Sequence, residues 1–233
     1  MDKPVTLISG SRKGIGKAIA EYYVAQGHHV VGFSRSPIDW QLNNYKHYTG
    51  DVTDESFVIS LIKDIRKQYG KLDNLINNAG IASMNHSMLT PIDTARQIMS
   101  VNFLGTFLMC RESAKLMKYK NYGRIVNFST IAVPLKLEGE AVYASSKAAV
   151  MTLTSILAKE FSSFGITVNC VGPTPIQTDL IKNISKDKMS NLISTQAIKK
   201  IGSFEDVINV IDFFISQQSD FVTGQQIFLG GIS

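Results

Sequence analysis

The chain has 233 residues, of which 44% are hydrophobic and 18% charged, with a formal net charge of +5. That size and apolar share fit one α/β domain with a sizeable core. The positive charge is mild and gathers only in short clusters such as Lys199-Lys200, which excludes an extended nucleic-acid patch and suits an acidic cofactor or substrate.

Strand-like and helix-like segments alternate along the whole chain. VTLIS (5–9) reads as a buried strand, followed by GSRKGIG and a helical pattern through KAIAEYYVAQG that stops at Gly27. HHVVGFS (28–34) reads as a second strand and KHYTGDV (46–52) as a short third one ending near Asp51. Residues 54–69 read as a helix with Thr53 as its N-cap. LDNLIN (72–77) is a fourth strand, and a long helical stretch follows Pro91. GRIVNFS (123–129) is a fifth strand, 142–163 a helix, and ITVNCV (166–171) a sixth strand. Residues 202–217 read as a helix and 224–230 as a seventh strand. Continuous apolar strands separated by helices imply a parallel sheet covered on both faces. No linker, repeat or low-complexity tract divides the chain, so residues 1–233 are expected to form a single domain. The polar segment 174–201 is expected to be a substrate lid.

Cys110 and Cys170 stand far apart in apolar runs without metal-ligand spacing, so buried, reduced thiols and no metal site are expected. The first residues, MDKPVTLISG, lack the shape of a signal peptide, and no apolar stretch approaches the length of a membrane helix. The expectation is a cytoplasmic protein without membrane or nucleic-acid partners.

The first strand–helix junction reads Ser9-Gly10-Ser11-Arg12-Lys13-Gly14-Ile15-Gly16. Gly10 permits a sharp exit from the strand. Gly14 and Gly16 remove side chains where backbone must approach a diphosphate and where the helix packs on the sheet. The helix N-terminus offers N–H groups to an anion. The second strand ends in Ser34-Arg35-Ser36, without the carboxylate that would bond a ribose 2′-hydroxyl; the nearest acid, Asp39, follows Pro37. Arg35, with Lys13 near it, suits a 2′-phosphate, so NADP(H) is expected over NAD(H).

YASSK (143–147) places a phenol and an ammonium four residues apart, on one face of a helix. Asp51-Val52, the NNAG tetrapeptide at 77–80, Gly172-Pro173 and GQQIFLGG near the end complete an ordered set. Together with SGSRKGIG, this set resembles the short-chain dehydrogenase/reductase family over nearly the whole chain, and looks most like its 3-oxoacyl-acyl-carrier-protein reductase-like members. The resemblance implies a Rossmann fold, three layers αβα around a seven-stranded parallel sheet of order 3-2-1-4-5-6-7, and a homo-oligomer, dimer or tetramer. It implies a catalytic set of Asn102, Thr130, Tyr143 and Lys147, with Thr130 where the family has serine, 13 residues before Tyr143. Asn102, in a long helix, would anchor a water. Asp51 and the Val52 N–H would meet adenine. Asn78, Ala79 and Gly80 would line the cofactor, and Pro173, Thr174, Ile176 and Thr178 would lie near the nicotinamide, with Thr174 replacing the usual glycine. The two arginines that dock an acyl carrier protein are Asn121 and Phe164 here, although Lys120 and Arg124 lie close to the first place.

The chemistry of that set can be stated from the side chains. Reduction of a carbonyl needs a proton for the nascent alkoxide; a tyrosine ordinarily near pKa 10 would give it more readily beside an ammonium, which favours phenolate. The expected activity is reversible NADPH-dependent reduction of a ketone or 3-oxoacyl-type carbonyl. The alternatives are an oxidoreductase of a sugar or other small alcohol, and, in another class, a non-catalytic NADP(H)-binding sensor or scaffold.

Overall fold

A computed structural model describes residues 3–176 and 186–232. They form a parallel seven-stranded sheet of order β3-β2-β1-β4-β5-β6-β7. Its strands are β1 (Val5–Ser9), β2 (His29–Ser34), β3 (Tyr45–Thr49), β4 (Asn74–Asn77), β5 (Gly123–Phe128), β6 (Ile166–Gly172) and β7 (Gln226–Phe228). The order reverses between β1 and β4, and that switch point opens a crevice at the carboxyl ends of the strands.

Successive strand residues point to opposite faces, and both faces are buried. Leu7, Val31, Phe33, Leu75 and Ile125 belong to one core cluster, and Ile8, Val30, Ile76 and Val126 to the other. The first is covered by α2 (Glu55–Tyr69), α4 (Gly105–Met117) and α6 (Ala141–Phe161). The second is covered by α1 (Gly14–Ala25) and α8 (Phe204–Ile215). Two layers of helix around one sheet explain why the central strands read as unbroken apolar runs.

Several boundaries differ from those read in the sequence. β3 ends at Thr49, because Asp51 turns the chain: its Oδ1 accepts from the backbone N–H and the hydroxyl of Thr53, each at 2.9 Å. Thr53 is thereby used in the turn, and the N-cap of α2 is Asp54, whose carboxylate accepts from Phe57 N at 3.1 Å. The helical stretch after Pro91 is not one helix. It runs as α3 (Ile92–Met99), a π-helical turn (Ser100–Leu104) and α4. A short α5 (Ala132–Leu135) between β5 and α6 was not anticipated. The expected lid at 174–201 contains α7 (Lys186–Thr195); its residues 177–185 lie outside the described residues. One helix, Ala141–Phe164, is long and apolar enough to cross a membrane by length and composition, contrary to the expectation that no stretch would be. It packs against β5 and β6 as part of the domain core.

Candidate active site

The glycine turn is held by short contacts from β4's end. Gly10 adopts φ +71° and Gly14 φ +59°, left-handed conformations that glycine takes without strain. Gly10 N donates to Phe33 O at 2.9 Å. Asn78 Nδ2 donates to Ser9 O at 3.1 Å and Gly10 O at 3.0 Å, while Ala79 N donates to Ser9 Oγ at 3.0 Å. A Cβ on Gly16 would collide with the Gly10 carbonyl and Asn78 Nδ2, so α1 can pack this close only with glycine there. Asn78 and Ala79 thus act first on the turn itself. The cradle they fix aims the start of α1 at the crevice.

The neighbouring strand ends carry a polar chain that the sequence did not reveal. Ser11 Oγ pairs with Tyr45 Oη at 2.8 Å, Tyr45 Oη with His47 Nδ1 at 2.8 Å, and His47 Nε2 with Ser34 Oγ at 3.1 Å. Ser34 Oγ also donates to Ser36 O at 2.7 Å, which shapes the loop that presents the exposed Arg35. Gly32 makes room for the Ser11 and Tyr45 hydroxyls. Trp40, the chain's one tryptophan, donates from Nε1 to Arg12 O at 3.1 Å, with Lys17 over its ring. Arg12 and Lys13 are exposed at the turn. Val52 is buried against α4 rather than open to the crevice, while Asp51 stays half-buried.

One cleft gathers the remaining residues. Thr130, Tyr143 and Lys147 line it together with Ile15, Asn78 and Gly80. Pro173, Thr174 and Ile176 line it as well, as does Leu192 of α7. Thr178 lies outside the described residues. Thr174 is buried against Gly202 and Gly230, so its methyl and hydroxyl are taken up in packing. Ser129 also lines the cleft, but it is buried and its hydroxyl lacks a partner among the described residues, whereas Thr130 is half-open and acts on Tyr143.

Asn102 does not lie on an exposed helix face. It is fully buried in the π-helical turn. Its Oδ1 accepts from Ile81 N at 2.9 Å, and its Nδ2 donates to Ile81 O at 2.9 Å and to Ser146 Oγ at 3.0 Å. With both ends of the amide engaged, the side chain pins the loop after Gly80 to α6. The hydroxyl of Thr106 donates to its backbone carbonyl at 2.7 Å.

Lys147 is buried, and its Nζ donates to Phe128 O at 2.9 Å. A Cβ on Gly80 would stand 3.3 Å from both Lys147 Nζ and Asn102 Oδ1, so the missing side chain leaves the ammonium open to the cleft. Burial holds the Lys147 amine down to about 8, against a small opposing pull from Cys170. Burial pushes the Tyr143 phenol up to about 12; the Glu140 charge adds to this, and the Thr130 hydroxyl opposes it. The expected lowering of the phenol by Lys147 is therefore not met. Phenolate loses its hydration in the cleft, and the ammonium is turned to the Phe128 carbonyl.

The residues present fit a nicotinamide dinucleotide. A positive-φ glycine turn opens a helix at the switch point, and a buried ammonium with donors to spare faces the cleft, a suitable partner for ribose hydroxyls.

Residues 10–231 match the sequence profile of the family described as enoyl-(acyl carrier protein) reductase. The 3-oxoacyl-[acyl-carrier-protein] reductase FabG of Salmonella typhimurium is 30% identical over 97% of this chain and 96% of its own. The chain is a short-chain dehydrogenase/reductase.

Two solved structures extend the comparison. ElxO with NADP bound superimposes with a TM-score of 0.90 and 32% identity, covering 97% of each chain. A gluconate 5-dehydrogenase from Burkholderia cenocepacia, in complex with NADP and tartrate, gives a TM-score of 0.91 at 26% identity, over 99% of this chain and 95% of its own. Family membership makes this chain an oxidoreductase of small carbonyl or alcohol substrates with a nicotinamide cofactor.

The two places where the resemblance implies docking arginines hold Asn121 and Phe164, with basic residues near the first. Arg124 is buried, with Nη1 donating to Gly123 O at 3.0 Å and its guanidinium 4.4 Å from the Tyr122 ring centroid, so it does not replace a surface arginine. Lys120 is exposed.

Proposed function

We propose that this short-chain dehydrogenase/reductase is an NADP(H)-dependent carbonyl reductase that converts a ketone or 3-oxoacyl-type carbonyl to an alcohol, reversibly. The observation that carries the reading is the meeting of Thr130, Tyr143 and the buried Lys147 in one cleft at the strand ends. When bound, the reduced nicotinamide supplies the hydride for the carbonyl carbon. The Thr130 hydroxyl donates a hydrogen bond to the carbonyl oxygen and orients it. Tyr143, a phenol that is protonated at neutral pH and whose pKa burial raises to about 12, gives its proton to that oxygen as it becomes alkoxide. Lys147 holds the ribose hydroxyls, and Asn102 keeps the Ile81 backbone and α6 in register around it. Gly10, Ser11, Arg12, Lys13, Gly14, Ile15 and Gly16 receive the diphosphate, and Asp51 with Val52 N–H borders the adenine. Ser34, Arg35 and Ser36 receive the 2′-phosphate, which supports NADP(H) over NAD(H).

A second reading is an oxidoreductase of a sugar or other small alcohol. Its support is the likeness to the gluconate 5-dehydrogenase and an acidic side chain, Glu140, in the cleft. A third, a non-catalytic NADP(H) sensor, keeps the cofactor residues but predicts no turnover. NADPH oxidation measured over a panel of ketones, 3-oxoacyl thioesters and keto-sugars separates them; NADPH binding without turnover on any of the panel rejects the first two. We further propose a homo-oligomer, dimer or tetramer, joined through the α4 and α6 faces where Phe107 and Ile156 stand exposed. Light scattering that gives a monomer at micromolar concentration rejects it.

A further inference from the structure

The cleft beside Tyr143 is walled largely by apolar side chains, among them Ile81, Met84, Ile131, Leu137 and Leu192. Two charged groups line it among the described residues, Lys147 and Glu140. The role above accounts for Lys147 and leaves Glu140 unexplained. Glu140 stands three residues before Tyr143, immediately before α6, and its side chain does not cap that helix. Its backbone is anchored, with N–H to Leu137 O at 3.3 Å and carbonyl from Ala144 N at 2.7 Å. The carboxylate makes no hydrogen bond or ion pair among the described residues.

A carboxylate so placed is costly. Desolvation raises its own pKa, and its charge raises that of Tyr143, which hinders the phenolate that alcohol oxidation requires. An apolar or amide side chain would avoid both effects. A half-buried acceptor without a protein donor is satisfied by water or by a donor group on a ligand that displaces it from the cleft. A plain acyl chain brings no donor; a hydroxyl beside the carbonyl does. A cationic ligand is disfavoured by Lys147 in the same cleft and by the chain's formal charge of +5.

We propose that Glu140 is a specificity-determining residue whose carboxylate accepts a hydrogen bond from a hydroxyl of a sugar-like hydroxyketone, or of its diol product, seated against Tyr143 and Thr130. This rests on the carbonyl-reductase reading and narrows it to hydroxyl-bearing substrates.

The test compares 1-hydroxy-2-butanone with 2-butanone as substrates of the NADPH-loaded enzyme, in wild type, Glu140→Gln and Glu140→Leu. The kcat/KM ratio of hydroxyketone to ketone is expected to fall by ~10-fold or more in Glu140→Leu, the scale of a hydrogen bond to a charged group, and by less in the isosteric Glu140→Gln. In parallel, calorimetry of the NADP-loaded protein with 1,2-butanediol and 2-butanol reads the same preference without turnover. Turnover of both ketones with a ratio unchanged across the three proteins overturns the role of Glu140. A Glu140-dependent preference for the diol without turnover keeps that role and overturns the reductase reading. Absence of both turnover and diol preference overturns the two together.

Discussion

Lys147 Nζ donates to the Phe128 carbonyl oxygen at 2.9 Å, and this bond inside the core anchors a cation that burial disfavours. Its pKa falls from 10.5 to about 8. Below about pH 8 both folded and unfolded chains carry the proton, and the cost of burying it is fully present. Between about 8 and 10.5 only the unfolded chain binds it, so stability rises with pH across that window, by ~3 kcal/mol in all. Lys147→Met is therefore expected to raise Tm at pH 7 by several degrees while lowering NADPH affinity and turnover. A thermal melt in which the Lys147→Met variant is less stable than wild type at pH 7 would count against this account of the site.

The same titration bears on cofactor binding. The ammonium form proposed to hold ribose hydroxyls disappears as pH rises through about 8 in the cofactor-free protein. NADPH affinity is expected to weaken between pH 7 and 9.5. Trp40, hydrogen-bonded to the glycine turn, provides the fluorescence readout. Affinity that is flat over that range in wild type, or equally steep in Lys147→Met, rejects the link to Lys147.

Tyr143→Phe removes the proposed proton donor and leaves the ring. Turnover of a confirmed carbonyl substrate is expected to fall by at least ~10²-fold, the lower range for general acid catalysis, with NADPH binding kept. Near wild-type reduction by this variant would remove Tyr143 from the role given to it.

Arg35 stands at the end of β2 on a loop tied by Ser34 and His47. Arg35→Ala is expected to weaken NADPH by ~10-fold or more, the worth of one or two charge-assisted bonds, and to leave NADH unchanged. Equal losses for both cofactors, or none for NADPH, would show that the arginine does not read a 2′-phosphate.

Asn102→Ala removes the partner of the part-buried Ile81 N and O and one of the two partners of the buried Ser146 Oγ, which keeps its bond to Tyr143 O. Unpaired buried groups cost ~1–3 kcal/mol each, so a lower Tm is expected together with lost activity. If Asn102 only positions the loop, Asn102→Asp, which keeps Oδ1 for Ile81 N, recovers part of the stability; a melt that finds the two variants alike would place the side chain's worth elsewhere.

The seven strands and the longer helices between them were legible in the sequence because apolar runs and glycine breaks follow from local periodicity; the short α5 and the α7 helix in the polar 174–201 segment were not. The glycine turn, Arg35, Tyr143 and Lys147 were legible because their meaning lies in short spacings along the chain. Local chemistry misplaced the cap of α2: Thr53 and Asp54 both suit an N-cap, and the turn made by Asp51 decided between them. It also missed the break in the helix at Asn102, since no proline interrupts the π-helical turn and a single glycine after it, Gly105, is compatible with a continuous helix.

The sequence by itself determined that a dinucleotide turn, a strand-end arginine and a Tyr–Lys pair would share one parallel α/β sheet. Only the tertiary structure decided what surrounds them. Ser11, Tyr45, His47 and Ser34 meet because β1, β2 and β3 lie side by side. Asn102 faces Ile81 and Ser146 because separate elements converge there. The phenol rises and the amine falls because burial depends on every wall of the cleft, a property that no spacing along the chain encodes.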